Sequence, residues 1–293
     1  MRIITDTGSM MTQARAAELK LTLIPLQVEV KKTNFRDYFD LTSESFIEMI
    51  QTAVPNSSQP AIGDVMNAFQ DSEEALYIAM TSGLSSTYVS AMALQQNSEY
   101  GHVAVFNSKT LAGTQQHLVE LAARLAQHHT LTEVKDRLEH CLSECQSYLI
   151  PVDFEFLRRN GRLSPVAALM SGFLKLKPIV YHKPGMEKLE KFAVSRTWQQ
   201  AMDAILDDLE KHHVSTRHHL YLSHAHNSMF AQQFVQRIQT RLPGIDLTVL
   251  PLTPVMITQG GPQLHCPSIH PQRRSTLKPS ADGFFISAHR TPS

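Results

Sequence analysis

Two short stretches concentrate hydroxyl side chains: Ser57-Ser58 within PNSSQP (residues 55–60) and Ser85-Ser86-Thr87 within SGLSST (residues 82–87). Serine and threonine hydroxyls donate neutral hydrogen bonds, and a turn that opens a helix leaves its first N–H groups without intrahelical partners. Together these donors make an anion site that the helix dipole strengthens, and a carboxylate is the anion expected there. The same residue types also cap helices and close turns. Gly83-Leu84-Ser85-Ser86-Thr87 approaches the G-x-S-x-G nucleophile elbow but lacks its last glycine. As a nucleophile Ser85 would need a base, and His117, His224 and His226 are candidates whose spacing specifies nothing.

The remaining reactive side chains form looser patterns. The chain has 15 histidines. His224 and His226 would share one face of a strand and could ligate a metal, whereas the adjacent pairs His128-His129, His212-His213 and His218-His219 cannot share a face. No carboxylate or cysteine pattern completes a ligand set, so no metal or cofactor is expected. Cys141 and Cys145 lie one helical turn apart without a C-x-x-C motif, which reads as a buried helical face. Arg158, Arg159 and Arg162 cluster around Gly161, either as a solvated loop or as a bidentate grip on a phosphate or a partner's carboxylates. The chain has no Walker A loop, no G-x-G-x-x-G and no H-E-x-x-H.

The elements that must position these residues follow from apolar periodicity. Residues 2–5, 76–80 and 102–106 are short apolar runs that read as buried strands. Residues 23–30 (LIPLQVEV) alternate from Leu26 onward, so a half-buried strand is expected, with Pro25 at an edge or just before the pairing begins. Helices are expected after Thr42-Ser43, over residues 88–95, around Leu118, Leu121, Ala122 and Leu125, and after the capping box Thr130–Glu133. Alternating strands and helices predict a mainly parallel sheet with crossovers, in which ligands bind beyond the carboxyl ends of the strands. The turns at Asp6, Ser85 and Asn107 belong to that edge. Residues 148–152 read as a further strand and residues 156–165 as a basic boundary loop. Residues 175–197 read as a hairpin turning at Pro184-Gly185, followed by a helix from Trp198 to Leu209. Strands near residues 220–223 and 247–250 flank a helix carrying Phe230, Phe234 and Ile238.

The expected organisation is therefore two α/β domains, residues 1–150 and a smaller unit at 151–263. Residues 264–293, rich in Pro, Ser, His and Arg, are expected to be an atypical, disordered tail. At 293 residues the chain exceeds what one core usually fills. Its 27 basic and 27 acidic residues cancel, which argues against a nucleic-acid or membrane-surface binder. No run approaches the ~18 apolar residues of a membrane span, and MRIITDTGS lacks a signal-peptide core. Three cysteines give no disulfide framework, and a reducing cytoplasm is the expected location.

In order along the chain, IITDTGS, PNSSQP, MTSGLSSTYVSA, FLRRNGRLSP and LKLKPIVYHKPG…KFAVSRT resemble the corresponding segments of the DegV family of bacterial fatty-acid-binding proteins. They span most of residues 2–197, and the GRLS and LSSTY segments are the most specific. The resemblance implies two α/β domains holding one long-chain fatty acid in an apolar tunnel between them, with the carboxylate on the two hydroxyl loops. Carried over, the carboxylate-binding positions are Ser57 (usually Thr in the family), Ser58, Ser85 and Ser86 (usually Gly). The family's C-terminal H-T-G-P-G histidine is matched by Gln259, which can donate a hydrogen bond but cannot titrate. Asn107 stands where Asp is usual, and beyond Pro262 the chain departs from the family's apolar strand. The resemblance further implies a carrier without chemistry of its own, presenting its ligand to a separate kinase for acyl-phosphate formation, with Arg162 and Arg196 in the docking surface. The competing reading is a serine-dependent lipid hydrolase using Ser85. Met66, Phe69, Met92, Leu169, Met170, Phe173 and Leu174 are candidate tunnel residues.

Overall fold

Each short apolar run of the N-terminal half becomes a buried strand. A computed structural model describes residues 1–71, 74–151, 154–159, 161–168, 176–260 and 284–290. In its first half, β1 (Arg2–Asp6), α1 (Gln13–Glu18), β2 (Thr22–Ile24), β3 (Gln27–Val30), β4 (Thr33–Arg36), α2 (Ser43–Ile50), β5 (Asn56–Ser58) and α3 (Ile62–Gln70) precede β6 (Ala75–Ala79) and α4 (Thr87–Gln95). Next come β7 (Val103–Asn107), α5 (Ala112–Leu125), α6 (Leu131–Leu142), β8 (Gln146–Ile150), α7 (Phe154–Arg159) and α8 (Pro165–Ala168). The chain continues through β9 (Lys177–His182), β10 (Glu190–Ser195), α9 (Trp198–Lys211), β11 (His218–His224), α10 (Ser228–Arg241), β12 (Asp246–Pro251), α11 (Pro254–Gly260) and β13 (Phe284–Arg290).

The first sheet is β2-β1-β6-β7, and all three pairings are parallel. All five residues of β6 are buried, as expected for a parallel strand covered on both faces. On one face Phe69 and Val65 of α3 and Ala91 of α4 pack with Tyr77 and Val103, and on the other Leu118 of α5 and Val134 and Leu138 of α6 pack with Leu76 and Ile78. Crossover helices on both faces leave the strand carboxyl ends open, which is where the turns at Asp6, Ser85 and Asn107 stand. The expected capping box forms at Thr130–Glu133, and the cap expected at Thr42 is also a box, closed by Ser45.

Pro25 divides the expected strand at residues 23–30. Residues before it pair in parallel with β1, and those after it start a separate antiparallel sheet, β4-β3-β5. The missing N–H at Pro25 ends one ladder, and the alternation from Leu26 onward suits a strand with one buried face. The expected extended loop at residues 55–60 carries β5, paired so that Ser57 stands opposite Val28 and Ser58 opposite Gln27.

The third sheet is β10-β9-β8-β13-β11-β12, antiparallel except for β11–β12. α9 and α10 cover it through Ala201, Ile205, Leu209, Phe230 and Phe234. The hairpin expected at residues 175–197 is β9–β10, turning through Gly185 at φ 92°. Two expectations are corrected. The basic segment at 156–165 is not only loop, since α7 and α8 flank the Gly161 turn. The tail expected without structure from residue 264 contributes β13, which pairs with both β8 and β11 in the middle of the sheet. A run such as FFISA is too short for periodicity to separate it from its Pro- and Ser-rich surroundings, whereas two strands with unpaired edges supply a place for it. The remaining tail lies outside the described residues.

The three sheets meet on one apolar cluster that includes Leu26, Val28, Met80, Leu84, Leu149, Leu252 and Val255. Four polar contacts tie residues 37–44 to the end of the third sheet and α11. Tyr38 donates to the Pro251 carbonyl at 3.4 Å, Ser43 to the Leu252 carbonyl at 2.6 Å, and the Val255 N–H to Asp37 Oδ1 at 3.0 Å. His226 Nε2 lies 2.9 Å from Glu44 Oε1. Among the described residues no helix is long and apolar enough to cross a membrane.

Candidate ligand cavity

A cavity of about 260 Å³ opens where the three sheets converge. Its body is apolar, lined by Leu26, Met80, Leu84, Leu111, Leu149, Leu157, Leu189, Leu252 and Val255, among others. Its polar end gathers Ser57, Ser58 and Gln59 from β5 and its exit, Ser85 and Ser86 from the β6–α4 turn, Gln259 from α11, and Arg162. The five side chains expected to meet a carboxylate therefore line one space, although they are separated by up to 202 positions in sequence.

Each reaches that space by a different device. The two serines of β5 stand on a strand held by main-chain pairing to β3. Gln259 Nε2 donates to Ser57 Oγ at 2.9 Å, joining α11 to β5, while its Oε1 is buried without a hydrogen-bond partner. Ser85 Oγ is 2.8 Å from Thr87 Oγ1 and accepts from the Thr87 N–H at 3.3 Å, so this serine does the ordinary work of a helix-entry turn. Ser86, the N-cap of α4, makes no capping bond and is exposed. Gln59 Oε1 accepts from Ser90 at 2.6 Å and thereby fastens β5 to α4.

Arg162 faces inward. Its Nε donates to the Leu84 carbonyl at 3.4 Å, and burial lowers its pKa, a sign that part of its hydration is lost. The segment carrying it is laced to the β9–β10 hairpin: Leu189 N–H donates to the Arg162 carbonyl at 3.0 Å, and Ser164 N–H to the Leu189 carbonyl at 2.9 Å. Gly83 explains the glycine of the elbow-like motif, because a Cβ there would overlap the backbone of Glu187 on the same hairpin. Arg196 is exposed and away from the cavity, its N–H bonded to Gln200 Oε1 at 3.1 Å.

Two buried carboxyls brace the walls. Asp6 accepts from the N–H groups of Gly8 and Met80, each at 2.9 Å, and from Gln115 Nε2 at 3.2 Å, and burial raises its pKa to about 6. Asp37, which takes the Val255 N–H, is pushed up to about 7 by burial. In both, burial moves the carboxyl toward its neutral form against hydrogen bonds that hold the charged one.

The alternative chemistries weighed from the sequence are not assembled among the described residues. β11 ends at His224, and His226 takes a left-handed φ of 57° and turns to Glu44, so the two imidazoles do not share a strand face. Among the described residues no group of three His, Cys, Asp or Glu side chains is placed to hold a metal. His117 packs against the paired rings of His219 and Tyr221, and the described residues lining the cavity include no His, Asp or Glu beside Ser85. Phe69, Met66 and Met92 belong to the core under α3 and α4 and not to the cavity, while residues 169–174 lie outside the described residues. Sequence reasoning missed Gln59, Leu189 and Leu252 as lining residues. Gln59 adjoins the hydroxyl pair and could have been found there; the two leucines carry no local signal.

A family model described as Uncharacterised protein, DegV family, matches residues 1–269. The chain belongs to the DegV family. A DegV domain-containing protein of Listeria monocytogenes is 24% identical over 268 residues, covering 88% of this chain and 94% of its own. The crystal structure of a DegV protein from Bacillus subtilis, titled a fatty acid binding protein, superposes with a TM-score of 0.83 at 21% identity, covering 99% of each chain. A DegV family protein from Thermus thermophilus, whose title describes fatty acid binding, gives 0.84 at 22% identity, covering 99% of this chain and all of that one. At these identities the likeness establishes a shared two-domain DegV fold.

Proposed function

We propose that this protein binds one long-chain fatty acid, with the acyl chain in the leucine-lined cavity and the carboxylate at its polar end. The observation that carries the reading is the cavity's polarity gradient, an apolar body closed by hydroxyl, amide and guanidinium groups drawn from four separate segments. Relatives of the same fold titled as fatty acid binders support it. Neutral donors contribute about 0.5–1.5 kcal/mol net per hydrogen bond and more to a charged group, whereas each buried CH2 contributes about 0.8 kcal/mol. Affinity thus comes mainly from the chain, and the head group sets orientation.

The protein acts as a carrier without chemistry of its own, handing the ligand to a kinase that phosphorylates the carboxyl group. Arg196, exposed beside the β10–α9 turn, suits a docking role; Arg162, half-buried in the cavity wall, suits the head group better. A serine hydrolase at Ser85 finds no support in a serine already bonded to Thr87 with no base beside it among the described residues.

Displacement of a fluorescent fatty acid by unlabelled acids and by their methyl esters tests the reading. The acid should compete at least tenfold better than its ester, and Ser57→Ala with Ser86→Ala should narrow that ratio without unfolding the chain. Equal competition by acid and ester, or stoichiometric fluorophosphonate labelling at Ser85, would overturn it.

A further inference from the structure

Among the described residues that line the cavity, the apolar side chains are leucine, methionine, valine and isoleucine with one exception, Ala225. It is 5% exposed and belongs to the cluster on which the three sheets meet. Its backbone is held on both sides. Before it, β11 stays paired with β12 to its last residue, His224 opposite Pro251, and the Leu252 N–H donates to the His224 carbonyl at 2.9 Å. After it, His226 Nε2 lies 2.9 Å from Glu44 Oε1. Asn227 then caps α10, its Oδ1 accepting from the Phe230 N–H at 2.9 Å and its carbonyl from the Ala231 N–H at 3.0 Å. A loop fastened in this way cannot swing aside, so the side chain at this position takes its volume from the cavity. With alanine there the wall is left short of atoms, and a bound chain supplies the missing contacts.

The order of residues along α11 gives the position of this gap. Gln259, bonded to Ser57, marks the polar end, and Val255 lies one turn earlier on the same helical face, also on the cavity. At about 1.5 Å of rise per residue, that turn is a step of about 6 Å away from the polar end. Leu252 comes before the helix begins and stands beside Ala225 through its bond to His224. The gap therefore faces the distal part of the cavity. We propose that Ala225 sets the length of acyl chain the cavity admits, by leaving the distal wall open where a larger residue would close it. This length gauge rests on the fatty-acid reading above. Leucine is larger than alanine by an isopropyl group and valine by two methyls, so Ala225→Leu fills the space of about three chain methylenes. Each buried CH2 changes affinity about fourfold, so acids that reach this wall lose tens of fold and those too short to reach it lose little.

The test displaces a fluorescent fatty acid from the full chain with saturated acids of about ten to twenty carbons, in the parent, Ala225→Val and Ala225→Leu. The preferred length should move about three carbons shorter in Ala225→Leu and less far in Ala225→Val, with the longest acids weakened at least tenfold in the leucine variant. The preference for acid over methyl ester should stay at the parent value in both. Circular dichroism matching the parent establishes folding, and the smaller valine step decides the question if the leucine variant does not fold. A length profile that superimposes on the parent's in a folded variant, or a single common loss at every length, would overturn the proposal. A parent chain that binds none of these acids, or treats acid and ester alike, would instead remove the fatty-acid reading itself and the gauge with it.

Discussion

At the cavity's polar end Gln259 Nε2 already donates to Ser57 Oγ across 2.9 Å, so under the proposed reading an incoming carboxylate would exchange that bond for its own. Neither group carries charge, and the positive charge at this end comes from Arg162. Hydrogen bonds to charged groups contribute about 1.5–3 kcal/mol, so Arg162→Gln should weaken fatty-acid affinity by roughly ten- to a hundredfold and flatten its salt dependence, read in the same displacement assay. Asp37 makes a separate, pH-dependent prediction. Its folded pKa of about 7 exceeds the model-compound 3.8 because burial favours the neutral acid. Between those values the folded state holds the proton that the unfolded state has lost, so this group's contribution is full near pH 4 and lost as pH rises to about 7. Asp37→Asn keeps the acceptor for the Val255 N–H and removes the titration. Chemical denaturation of the variant should show a flatter stability profile over that window, with a difference of at most about 4 kcal/mol.

Among the elements, the β9–β10 hairpin controls one wall of the cavity. Its arm supplies Leu189, bonds the Arg162 segment on both sides, and meets Gly83 backbone to backbone. Gly83→Ala must push Glu187 away, an overpacking that costs about 1–3 kcal/mol. The expected outcome is a lower Tm together with weaker ligand binding, because Leu189 and Arg162 move with the hairpin. The serine motifs were readable in the sequence because hydroxyl clusters at strand–helix turns are local features. Gln259 was placed only through the resemblance to a family segment. Leu189 and Leu252 could not be read at all, since their role depends on which sheets meet. Pro25 was read as an edge position or the point after which pairing begins; that the chain changes sheets there could not be read from periodicity. β13 was missed for a related reason: its pairing partners, β8 and β11, lie far away in sequence.

For the whole molecule, the α/β alternation and parallel first sheet were legible in the order of apolar runs. The cavity was not, because it belongs to the convergence of three sheets and is braced by the contacts of Asp37, Tyr38, Ser43 and Glu44 with the opposite side. Burying an acyl chain there, as proposed, would let a protein with no membrane-spanning helix among its described residues hold an otherwise insoluble molecule. Native mass spectrometry of the gently purified full chain addresses this claim most directly. The account predicts one added mass per chain equal to that of a long-chain fatty acid, released as the free acid on denaturation. A chain that keeps its bare mass even after incubation with excess long-chain acid, while remaining folded, would contradict it.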